Sequence, residues 1–70
     1  MTGNEFLKRL KAYGKATGRE VSFDPDQGKG SHGTVTVDGR QTTLKDRKKE
    51  IGPGLLRKML KDLGVTHTEF

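Results

Sequence analysis

The sequence predicts an α+β domain: a helix, a three-stranded antiparallel sheet and a second helix. Three observations carry this. Apolar residues recur at helical spacing near each end, β-branched residues alternate with polar ones between them, and an Asp-Gly pair divides that middle stretch in two.

The first helix is expected from about Asn4 to Ala16. Phe6, Leu7, Leu10 and Tyr13 share one face, and Lys8, Lys11 and Lys15 fall on the other. Asn4 is the expected N-cap, Glu5 suits the positive end of the helix dipole, and Gly14 and Gly18 mark the far end. Val21 and Phe23 then alternate with polar residues as in a short half-buried strand, which Asp24-Pro25 is expected to stop.

Val35 and Val37, alternating with Thr34 and Thr36, form the second strand, and Arg40 to Leu44 the third. Asp38-Gly39 between them suits a two-residue type I′ turn, whose central residues both need positive φ. That turn fixes register. Val37 should oppose Arg40, Thr36 Gln41, Val35 Thr42 and Thr34 Thr43, and two steps further His32 falls opposite Lys45. Side chains alternate across a sheet, so Gly33, Val35, Val37, Thr42 and Leu44 should share the inner face. The other face is wholly polar: His32, Thr34, Thr36, Gln41, Thr43 and Lys45.

The last helix follows Ile51-Gly52-Pro53-Gly54, with proline near the first helical position. Leu55, Leu56, Met59, Leu60 and Leu63 form the expected core stripe, and Gly64 is a left-handed terminator that lets Val65 pack back on Leu60. No repeat or linker divides the chain. A single domain is expected over residues 1–65, with residues 66–70 a flexible tail. This element order is that of a double-stranded-RNA-binding-domain-like fold.

Composition narrows the function. Only fifteen of the 70 residues are Leu, Ile, Val or Phe, a core too thin to enclose a cofactor. There is no cysteine, hence no disulfide framework or thiolate metal site. No apolar run approaches the ~20 residues of a membrane span, and no signal-peptide segment opens the chain. A cytoplasmic protein with no membrane partner and no small-molecule cofactor is expected. The net charge is +5 and the pI near 9.8, with the basic residues gathered towards the two ends of the chain, which points to an anionic partner such as RNA.

Gly28-Lys29-Gly30-Ser31-His32-Gly33 contains G-x-G-x-x-G, but a dinucleotide fingerprint needs a preceding strand and an immediately following helix in a parallel sheet. A hairpin strand follows here. What remains is a glycine loop whose backbone and Lys29 suit a phosphate, with Ser31 as a hydrogen-bond donor. Ser31 lacks the third member of a triad. Asp24, Asp26 and Glu20 read as solvated loop residues rather than metal ligands, and no metal is expected.

His32 ends this loop beside a lysine on a polar face, the placement of a general base with a cationic stabiliser. RNA carries its own nucleophile, the 2′-hydroxyl, so this pair suits cleavage without metal. A non-catalytic RNA-binding module explains the charge and fold equally well, though not the histidine.

These residues resemble the HicA family of toxins from type II toxin–antitoxin systems. The resemblance rests on a helix ending near Tyr13-Gly14, Gly30-Ser31-His32 entering a hairpin, and Ile51-Gly52-Pro53-Gly54-Leu55 opening the last helix. It implies metal-independent mRNA cleavage with His32 as the catalytic residue, Gly30 and Ser31 shaping its loop, and a HicB-type antitoxin as protein partner. Where many members continue with a second His or a polar residue and then an aromatic, this chain has Gly33-Thr34-Val35.

Overall fold

The computed structural model describes residues 1–25, 32–66, 68 and 70. Helix α1 spans Gly3–Thr17, strands β1, β2 and β3 span Val21–Pro25, Gly33–Val37 and Arg40–Leu44, and helix α2 spans Pro53–Leu63. The strands form one antiparallel sheet in the order β1-β2-β3. This is the expected α+β arrangement.

α1 starts earlier than Asn4. Its N-cap is Thr2, whose Oγ1 accepts the Glu5 N–H at 3.2 Å while Glu5 Oε1 accepts the Thr2 N–H at 2.9 Å. This reciprocal box satisfies two otherwise orphaned donors and holds the Glu5 carboxyl below its ordinary range. The next two donors find a different partner. Gly3 N–H donates to the Lys49 carbonyl and Asn4 N–H to the Arg47 carbonyl, so the connector after β3 closes the helix start.

β1 runs through Pro25 instead of stopping before it. It is an edge strand paired only with β2, and a proline costs no ladder bond where its nitrogen faces the free edge. The β2–β3 hairpin turns through Asp38 and Gly39 with φ of 49° and 84°, and its register is the expected one from Val37↔Arg40 to Thr34↔Thr43. One further pair, Gly33↔Leu44, completes the ladder.

Both helices lie against one sheet face. Gly33, Val35, Val37, Thr42 and Leu44 are buried there, and Gln41 and Thr43 on the opposite face are exposed. Thr42, the polar member of the inner set, donates its hydroxyl to Asp62 Oδ2 at 3.1 Å, so its burial leaves no orphan. Phe6, Leu10, Met59, Leu60 and Leu63 fill the core between helices and sheet. Leu55 departs from expectation. It is 45% exposed and lines the open groove beside β3, whereas Leu56, Met59, Leu60 and Leu63 pack on the core.

α2 ends as its glycine implies: Gly64 is left-handed at φ 70° and the Val65 N–H donates to the Leu60 carbonyl at 2.9 Å. Two arginines meet the negative end of this helix. Arg40 donates to the carbonyls of Asp62 and Lys61, and Arg19 to that of Gly64. Arg19 also pairs with Asp38 at 2.9 Å and donates to the Tyr13 hydroxyl at 2.7 Å, joining α1, the hairpin turn and α2. Phe70 packs its ring 5.4 Å from that of Phe6, beneath the Arg9 guanidinium.

Two outcomes test these assignments. Leu60→Ala should cost about 2–5 kcal/mol of unfolding free energy in urea, whereas Leu55→Lys should stay within about 0.5 kcal/mol. The second concerns acid. The Arg19 guanidinium, and then the Glu20 N–H, hold the Asp38 carboxyl below its ordinary range. The folded value is therefore lower than the unfolded one, so this contribution is complete above about pH 4 and lost as pH falls through the folded value. Asp38→Asn, which tolerates the same positive φ, should show a smaller drop in thermal midpoint between pH 5 and pH 2 than wild type.

Candidate active site

The end of the sheet away from the Asp38-Gly39 turn is where β2 begins. Gly33 pairs with Pro25 on one side and Leu44 on the other. His32 immediately precedes it, one residue outside the strand, and Lys45 immediately follows Leu44; both are exposed. Continuing the register sets them opposite one another one step past the last ladder pair. His32 also belongs to the same alternate set as Thr34 and Thr36, which line the face away from the helices. The histidine and lysine expected from sequence thus come to one end of the sheet, while Lys29, Gly30 and Ser31 lie outside the described residues.

Gly33 explains how tightly this end is built. A Cβ there would collide with Phe23 Cζ and Cε1 and stand 2.6 Å from the Asp24 carbonyl oxygen. The Phe23 ring occupies the space that a side chain at position 33 would take. On the ring lies the Arg47 guanidinium, 5.2 Å from its centroid. The sequence marks Phe23 only as an apolar residue of the first strand, and Arg47 not at all. A glycine at an inward strand position is a sign of close backbone approach, but the aromatic that approaches it comes from a neighbouring strand, and Arg47 sits in a charged run with no distinguishing spacing.

The connector that follows β3 is rich in cations, and the exposed Asp24, opposite Thr34, is the carboxylate of β1 at this end. The two acids of the connector are turned elsewhere: Asp46 accepts the Lys48 N–H at 2.9 Å, and Glu50 pairs with the Met1 ammonium at 2.8 Å, raising that amine's pKa. Ion pairs among the described residues are Met1–Glu50, Arg19–Asp38 and Lys58–Asp62, which leaves Lys45, Arg47, Lys48 and Lys49 without an acidic partner there. Lys45 lines a groove of about 600 Å³ between β3 and α2 together with Thr43, Leu55 and Lys58. Among the described residues no three histidine or acidic side chains gather at metal-binding distance, and no helix is long and apolar enough to cross a membrane.

Fold and site together define a small basic α+β domain that presents one histidine among unpaired cations at the open end of its sheet. No family model matches the chain, and no solved structure matches it either. A curated protein of Pseudomonas fluorescens (strain Pf0-1), "Probable mRNA interferase HicA", is 39% identical over 66 residues, covering 93% of this chain and 97% of its own. The chain belongs to the HicA family.

The packing at Gly33 makes a direct prediction. Gly33→Ala should destabilise by about 1–3 kcal/mol in urea unfolding, the usual cost of overpacking. Phe23→Ala in the same chain vacates the space, so the double variant should lose less than the sum of the two single losses.

Proposed function

We propose that the chain is the toxin of a type II toxin–antitoxin system, a metal-independent endoribonuclease that cleaves mRNA with His32 as its catalytic residue. The observation that carries this reading is the exposed His32 at the end of the Gly33–Leu44 ladder, opposite Lys45, in a chain related over nearly its whole length to an mRNA interferase.

His32 takes the proton from the 2′-hydroxyl as the 2′-oxygen attacks the adjacent phosphorus. The new O2′–P bond forms as the P–O5′ bond breaks, and the departing 5′-oxygen takes up a proton. The product end is a cyclic phosphate, and no metal or oxidant enters the balance. Lys45, with Lys29 from the glycine loop, stabilises charge building on the phosphate, and Gly30 and Ser31 shape the loop that carries the histidine. The substrate is mRNA and the site of action the cytoplasm. A HicB-type antitoxin is the protein partner, restraining the toxin by covering this end of the sheet.

The test uses purified protein and single-stranded RNA in EDTA. Wild type should cleave, and His32→Ala should lower the rate by about 10²–10⁴-fold, the range for a lost general base. RNA that survives both proteins equally, while still being bound, points instead to a non-catalytic RNA-binding module.

A further inference from the structure

We infer that Arg47 forms a phosphodiester-binding shelf beside His32, a contact to the RNA backbone distinct from Lys29 and Lys45. The inference rests on the RNA-cleaving reading above and adds a residue that the sequence did not mark.

Arg47 stands on a fixed base. Its carbonyl accepts the Asn4 N–H at 2.8 Å, and a Cβ on Gly3 would stand 2.6 Å from its Cα, so the start of α1 presses directly on this point of the connector. Position 3 has to be a glycine for that approach, as position 33 does for Phe23. The side chain is partly buried, with its guanidinium across the Phe23 ring. A guanidinium held over an aromatic face by cation–π attraction is restrained there without using up its N–H donors. Among the described residues no acceptor engages them, although Arg19, Arg40 and Arg9 all donate to carbonyl or carboxylate oxygens.

An unengaged guanidinium fork matches the paired oxygens of a phosphodiester, and restraining the side chain on the Phe23 ring beforehand lowers the entropy lost on binding. Its location supplies the substrate. The ring under Arg47 covers Gly33, the neighbour of His32, so the fork stands on the helix side of the sheet end while His32 belongs to the open-face set. A single strand of RNA crossing that end meets both. Lys48 and Lys49, with no acidic partner among the described residues, flank the path, and Asp46 and Glu50 are occupied by the Lys48 N–H and the Met1 ammonium.

The experiment is done in the His32→Ala protein with EDTA, so that RNA stays intact, by following the anisotropy of a fluorescein-labelled single-stranded RNA across a salt series. Arg47→Ala should weaken binding about tenfold or more at low salt, as for one lost charge-assisted bond. The slope of log affinity against log salt should flatten by about 0.7, one phosphate contact on a single strand. Arg47→Lys should restore the slope but only part of the affinity, since an ammonium neither stacks flat nor binds bidentately. Arg47→Met keeps an apolar stem on Phe23 and guards against simple misfolding; it should behave like the alanine variant. With His32 restored, Arg47→Met should raise KM more than it lowers kcat.

Unchanged affinity and slope in both uncharged variants, in a parent that binds RNA, overturns the shelf and leaves the nuclease reading standing. A lower melting temperature with an unchanged slope overturns it too, as a structural arginine only. A parent that does not bind RNA at all overturns both.

Discussion

The two-residue turn at Asp38-Gly39 is the constraint on which the rest of the molecule depends. Positive φ at both positions closes the hairpin in one register. Because strand side chains alternate with a period of two, a slip of one residue would turn Val35, Val37 and Leu44 to water and Thr34, Thr36 and Thr43 towards the helices. The turn is held from outside as well. Asp38 accepts both the Arg19 guanidinium and the Glu20 N–H, and Arg19 reaches on to Tyr13 and the carbonyl end of α2. One end of the sheet is thus pinned to both helices. His32 and Lys45 emerge at the other, a strand's length of roughly 17 Å away.

This division gives the positive charge two kinds of work. Arg19 and Arg40 are committed to the fold, donating to the carbonyls where α2 runs out. Lys45, Arg47, Lys48 and Lys49 have no acidic partner among the described residues and gather at the open end. A net charge of +5 on a chain with so thin a core can look like simple solubilisation. Its distribution in space adds to that: Arg19 and Arg40 brace the turn end of the sheet, whereas Lys45 and Arg47 stand near its other end with no acidic partner among the described residues.

Much of the fold was legible because short-range physics decides it. Helical spacing marked α1 and α2, alternation marked β2 and β3, and Asp38-Gly39 fixed the register before any long-range contact was known. The Thr2-x-x-Glu5 box that caps α1 in place of Asn4 is equally local, a pattern of residue types three apart. Pro25 and Leu55 depended on tertiary position: whether a strand has a neighbour on its far side, and which side of a helix's first turn meets the core. At the candidate site, His32 and Lys45 could be paired by counting back from the turn. The Phe23–Gly33–Arg47 stack could not, since its members come from two strands and a connector and no spacing along the chain links them.

The stack also bears on how any broad mutational survey of this domain would read. Positions 3 and 33 admit nothing larger than hydrogen, because backbone or an aromatic ring already fills the adjoining space. Scored by activity alone, both would appear as intolerant as the histidine, although neither offers a group that could move a proton or hold a phosphate. Soluble yield of folded protein separates the two kinds of intolerance: packing glycines lose it along with activity, and a chemical residue keeps it. Next to His32, a blank row in such a survey marks lack of room, not a second catalyst.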